Sequence, residues 1–155
     1  MLIRSFQIII LALFFSACSD TGLYEKVYFM KGNAWSANQQ PEFVFEVKDT
    51  VSRYQVYFLI RHGDAYEFNN VWIKLNSKLP GDSVERKDRF DIPLATQNKW
   101  LGSGMDDIFD HRVLLYREPV KFSKTGQYAI SIGHDMRVEP VDHVYNVGLR
   151  IEKVN

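Results

Sequence analysis

Val71-Trp72-Ile73-Lys74-Leu75-Asn76-Ser77-Lys78-Leu79 is the stretch that decides the fold. Val71, Ile73 and Leu75 alternate with Trp72, Lys74 and Asn76, the two-residue period of a strand with one face buried. Pro80-Gly81-Asp82 follows as a tight-turn signal. The pattern recurs on both sides. Lys26 to Lys31 is a first strand. Glu42 to Lys48 puts Phe43, Phe45 and Val47 on one face. Tyr54 to Arg61 is apolar on both faces. Ser83 to Ile92 is heavily charged and suits a sheet edge, where charge discourages further pairing. Arg112 to Tyr116 is apolar, and Gln127 to Ile132 alternates Tyr128, Ile130 and Ile132. Val144 to Val154 turns Val147, Leu149 and Ile151 inward and Arg150 and Glu152 outward. Asn69-Asn70 and Lys124-Thr125-Gly126 are further turn signals. In the run Thr125-Gly126-Gln127-Tyr128 the tyrosine ring is expected in the core, with its hydroxyl bonded to nearby backbone.

No long segment carries a clear helical period; a short helix is expected only at Asp106 to Leu114. About eight strands predict an all-β fold, a single β-sandwich-like domain of the immunoglobulin or jelly-roll kind. The composition agrees. The chain has 155 residues, 46% hydrophobic and 14% aromatic, with a formal net charge of zero. That is one globular domain and too apolar for a disordered chain. Balanced charge argues against a nucleic-acid partner, which demands a basic footprint. One cysteine excludes internal disulfides and multi-cysteine metal sites.

That cysteine is Cys18, and the residues before it read as an address. Arg4 precedes an apolar run from Phe6 to Phe15, too short to span a bilayer and right for a signal h-region. Ser16-Ala17-Cys18 then places two small residues before a thiol, the layout of a bacterial lipoprotein signal. The expected organisation is a cleaved signal peptide at 1–17, a lipidated N-terminus and short tether at 18–24, and the sandwich at 25–155. Without Arg4 the mature chain would carry 18 basic and 19 acidic residues, so acyl chains rather than a basic composition would anchor it. Ser19 beside the cysteine favours sorting to the outer membrane.

Several runs together resemble the GldH family of lipoproteins from gliding bacteria. They are Tyr57-Phe58-Leu59-Ile60-Arg61, Lys99-Trp100-Leu101-Gly102-Ser103-Gly104, Asp106-Asp107-Ile108 and Gly126-Gln127-Tyr128. Met136-Arg137 with Pro140 and the ending Val147-Gly148-Leu149-Arg150-Ile151-Glu152-Lys153 complete the set. The resemblance covers roughly Tyr24 to Lys153. It implies a non-enzymatic component or assembly factor of the gliding machinery, linked to protein secretion and lipid-anchored at the outer membrane facing the periplasm. The residue it carries over is Cys18; it implies no catalytic residue and no cofactor. Its partners would be the bilayer, through acylated Cys18, and other envelope proteins of that apparatus.

Other chemistry is weaker. Asp106, Asp107, Asp110 and His111, with His134, Asp135, Asp142 and His143, could offer oxygen and imidazole ligands, but their spacing matches no metal motif. No metal site is therefore expected. Gly102-Ser103-Gly104 has neither the strand of a nucleophile elbow nor the Gly-Lys-Ser or Gly-Lys-Thr of a phosphate loop, and suits a turn. Trp35, Trp72, Trp100 and Tyr66 could stack on sugar rings, which makes a glycan-binding lipoprotein the alternative. Better supported is a protein-binding surface. Tyr57 and Leu59 are expected on an exposed face of strand 54–61, with Trp72 on the same outer face of a neighbouring strand. Trp100, in the long segment Pro93 to Asp110, is expected to anchor a partner or to plug the sandwich end.

Overall fold

The computed structural model describes residues 22–97 and 99–154; the expected signal peptide and Cys18 lie outside them. The strands are β1 (Gly22–Phe29), β2 (Ala34–Trp35), β3 (Glu42–Val47), β4 (Tyr54–Gly63), β5 (Asn70–Lys78) and β6 (Glu85–Pro93). Then follow β7 (Ser103–Met105), β8 (Ile108–Leu114), β9 (Gly126–His134), β10 (Val141–Asp142) and β11 (Val144–Lys153). One sheet has the order β1-β11-β4-β8-β7 and the other β3-β9-β5-β6; β10 and β2 pair separately. Every strand pairing is antiparallel. The two sheets pack as a sandwich, as the alternation predicts.

The expected inward residues form the core. Phe43, Val47, Val71, Ile73, Leu75, Ile132, Val147, Leu149 and Ile151 are all buried. Aromatic rings bridge the sheets: Tyr28 meets Phe43 edge-on, and Trp35 of β2 lies between Phe58 of one sheet and His134 of the other. Charged β6 lies at the edge of its sheet. Tyr128 is buried, and its hydroxyl donates to the Lys124 carbonyl at 3.1 Å and accepts from the Lys124 amide at 3.2 Å. Tyr128→Phe is expected to cost about 1 kcal/mol, since it removes both hydrogen bonds to the Lys124 backbone without opening a cavity. A shift in the urea midpoint at unchanged slope would show it.

The structure differs from expectation in four places. Among the described residues there are eleven strands rather than eight, because β2, β7 and β10 are pieces of two or three residues, too short to show a period. The stretch Asp106 to Leu114 is not helical. Ile108–Leu114 pairs along its length with β4, and Asp106-Asp107 makes the turn of a β7–β8 hairpin, with Asp106 in the left-handed region at φ 53°. This also gives regular structure to part of the segment Pro93 to Asp110. Strand β1 begins within the range expected for a tether, 18–24: Gly22 and Tyr24 already pair with Glu152 and Ile151 across a bulge. Finally, Trp72 is not on a neighbour of β4. Its strand, β5, belongs to the other sheet.

Candidate functional site: the outer face of the five-stranded sheet

The register builds this face row by row, because residues directly opposite on adjacent strands share a side of the sheet. One row runs Val27–Gly148–Leu59–Arg112. A second runs Glu25–Arg150–Tyr57–Leu114, and a third Phe29–Asn146–Arg61–Asp110. Gly148 sets the shape of the centre. A Cβ there would lie 2.6 Å from Val27 Cγ1 and 3.3 Å from Leu59 Cβ, so only glycine lets these side chains close over the strand.

The result is a concave surface with a cavity of about 850 Å³, lined by Val27, Phe29, Leu59, Leu114, Arg61 and Asp110 among others. Phe29 is 75% exposed, and Val27 and Leu114 are also open to solvent. The charges around this apolar floor are matched. Arg61 donates to both oxygens of Asp110 at 2.7 and 2.8 Å. Arg150 bridges Glu25 and Glu152, and Arg112 reaches across β4 to Glu152 with its guanidinium 4.2 Å above the Tyr57 ring. Exposed pairs of this kind add little stability. They leave the face nearly neutral, apolar in the middle and polar at the rim, which is the composition of a docking surface.

The four residues singled out from the sequence for partner binding fall in three places. Tyr57 and Leu59 lie on this face, with Tyr57 partly covered by Arg112. Trp72 is on the outer face of the other sheet, under Arg89 at 3.9 Å. Trp100 is half-buried near the loop end of β8, packed on His62, Tyr66 and Phe109 with ring centroids 4.4, 6.2 and 5.6 Å away. The tryptophans share no solvent-facing strip, since Trp35 and Tyr66 are buried. Nothing in this arrangement favours the glycan reading.

The metal candidates disperse likewise. Asp110 is held by Arg61, and Asp135 by Lys74 and Arg89 at 2.6 Å each. His134 is buried and contacts Glu139 at 3.1 Å. Among the described residues no three His, Cys, Asp or Glu side chains converge to hold an ion. His111 instead meets His62, a residue missed from the sequence. The inward alternation Val56, Phe58, Ile60 continues to His62 and was the available signal. The two Nε2 atoms are 2.9 Å apart beneath Trp100, and burial holds both imidazoles below the usual histidine range, His111 at about 4.

The GldH lipoprotein family model matches residues 22–151, which spans both sheets. The chain belongs to the GldH lipoprotein family. It is 27% identical over 156 residues to the gliding motility lipoprotein GldH homolog of Christiangramia forsetii, covering 96% of this chain and 94% of that protein. It is 29% identical over 154 residues to the gliding motility lipoprotein GldH of Flavobacterium johnsoniae, covering 94% of each. GldH proteins are thus cell-envelope lipoproteins implicated in gliding motility, and these relatives are named for motility rather than for a reaction.

Proposed function

We propose that this chain is a non-enzymatic scaffold or assembly factor of the gliding and associated secretion machinery. It is anchored by acylated Cys18 to the outer membrane, facing the periplasm, and holds an envelope protein on the outer face of its five-stranded sheet. The observation that carries the binding role is the exposed apolar group Val27, Phe29 and Leu114 around half-buried Leu59, ringed by charges that already neutralise one another. A partner for such a face is itself apolar and uncharged at the contact. The anchor adds effective concentration: confinement to a membrane raises the encounter with membrane-held partners without any new contact. Tyr57 and Leu59 are the partner residues in this reading, and Trp72 and Trp100 are not.

The test is a crosslinking pull-down from envelopes, with a control lipoprotein alongside. The natural chain is expected to enrich envelope machinery. Cys18→Ala is expected to leave the membrane fraction and lower that enrichment by about 100-fold, the gain that linkage typically supplies. Leu59→Lys is expected to stay in the membrane with an unchanged melting temperature and lose the enrichment. Equal recovery by the natural chain and the control lipoprotein would remove the scaffold reading.

A further inference from the structure

The two ends of the sandwich carry opposite charge. Gly22 opens β1 opposite Glu152, and Lys153 lies opposite Tyr54, so the start of β1, the end of β11 and the start of β4 share one end. The loops 48–53, 79–84 and 115–125 lie there too, since Val47 pairs with Gly126, Lys78 with Glu85, and β8 finishes beside Tyr57. These loops contain five basic residues, Lys48, Arg53, Arg117, Lys121 and Lys124, all exposed. They contain three acidic ones, Asp49, Asp82 and Glu118. Two of the acids are already paired, Asp49 with Lys153 at 2.9 Å and Asp82 with Lys124 at 2.6 Å.

At the opposite end the balance reverses. The connections 30–41, 64–69, 94–102, 106–107 and 135–143 hold three bases, Lys31, Lys99 and Arg137. Against them stand seven acids: the loop residues Asp64 and Glu67, the turn Asp106-Asp107, and Asp135, Glu139 and Asp142. The basic end also presents apolar tips. Val51 is 83% exposed and Val84 77%, each on a different loop.

Chain length says what this end faces. Between Cys18 and Gly22 the covalent chain reaches at most about 14 Å. A lipid on Cys18 therefore confines the basic end, and not the acidic one, to the zone where a charged bilayer acts. The tether adds one acid, Asp20, which leaves the balance positive.

We propose that the loops 48–53, 79–84 and 115–125 form a membrane-apposed surface that takes anionic lipid headgroups, with Val51 and Val84 at the interface. This rests on the anchoring of Cys18. The strands then stand along the membrane normal, attraction at one end and repulsion at the other turn the domain the same way, and the outer face of the five-stranded sheet stays open to partners.

The test uses the full lipidated protein in vesicles. Thioether formation consumes the one native thiol, so Val51→Cys, Val84→Cys and, as the distal control, Glu67→Cys each offer one reactive site. All three positions are exposed, so labelling them leaves the core intact. Each carries a fluorophore, and brominated lipids in vesicles rich in phosphatidylglycerol act as quencher. Quenching at positions 51 and 84 is expected to exceed that at position 67 by about threefold or more. Because one Lys or Arg at an anionic surface contributes about fivefold, Lys48→Gln with Lys121→Gln is expected to lower the difference to the part that the tether alone produces, and a difference that these substitutions leave unchanged overturns the headgroup surface. Phosphatidylcholine vesicles are expected to do the same. Equal quenching at all three positions, in protein whose mass and flotation show the acyl chains, overturns the surface and leaves the anchor standing. Protein without acyl mass overturns both.

Discussion

Trp35→Ala is expected to lower stability by about 3–5 kcal/mol, the usual cost of truncating a fully buried large aromatic. Trp35 has no exposed surface and stacks on Phe58 of β4 at a centroid distance of 6.4 Å. It meets His134 of β9 edge-on at 5.4 Å. Its indole N–H donates to the Gln39 carbonyl at 2.8 Å and so closes the connection from β2 to β3. Alanine leaves a cavity between the sheets and a carbonyl without its donor, and both terms act in the same direction. The melting temperature is expected to fall by roughly 10–20 °C for a domain of this size. Trp72→Ala is the contrast. Its ring is half-buried on an outer face and contributes mainly a cation–π contact with Arg89, so its loss is expected to cost about 1 kcal/mol. Calorimetry on the two variants separates them. Equal shifts would contradict the core role of Trp35 and reopen a surface role for the tryptophans.

That contrast marks how far the sequence was legible. Periodicity told Val71 from Trp72 and Leu149 from Arg150, because a strand with one wet face exposes its pattern residue by residue. It also located the tyrosine bonded to the turn before its strand. It did not tell which strands share a sheet. Alternation carries no information on neighbours, so nothing in the pattern around Trp72 says that β5 lies across the core from β4. The hairpin at Asp106-Asp107 escaped for a chemical reason. Such turns usually announce themselves with Gly or Asn, and here aspartate takes the left-handed position. Of the candidate face, Tyr57 and Leu59 were visible as the second apolar side of β4. Val27, Phe29 and Leu114 were not, because only the register brings β1 and β8 to either side of it.

The buried histidine pair carries the second large effect, a loss of stability on mild acidification. His62 Nδ1 lies 2.7 Å from the Gly63 carbonyl, which can only accept, so that nitrogen carries the proton. His62 Nε2 is then the acceptor, and His111 Nε2–H donates to it at 2.9 Å. Protonating His62 at Nε2 sets two N–H groups against each other, and protonating His111 at Nδ1 places a charge in a buried site beside a second imidazole. Burial opposes that charge at both rings, and at His111 the neighbouring His62 opposes it further. Asp110 pulls the other way, but Arg61 already clamps it. His111 is held at about 4, against about 6.5 in the unfolded chain. Between these values the unfolded state binds protons that the native state does not, so stability falls as pH drops from about 6.5 towards 4. The loss attributable to His111 is about 3 kcal/mol. Asp49 and Asp135, held below the ordinary carboxylate range by their hydrogen bonds and ion pairs, lose their contribution only at lower pH, so this window isolates the histidines. Urea midpoints at about pH 7.5 and 4.5 measure the effect, and Trp100, packed on His62, reports it by fluorescence. His111→Gln keeps a donor facing His62 and cannot titrate. It is expected to flatten the pH dependence by more than half, whereas His134→Gln changes it less, because Glu139 offsets part of the burial there. An unchanged slope in His111→Gln would mean that the pair does not govern acid stability.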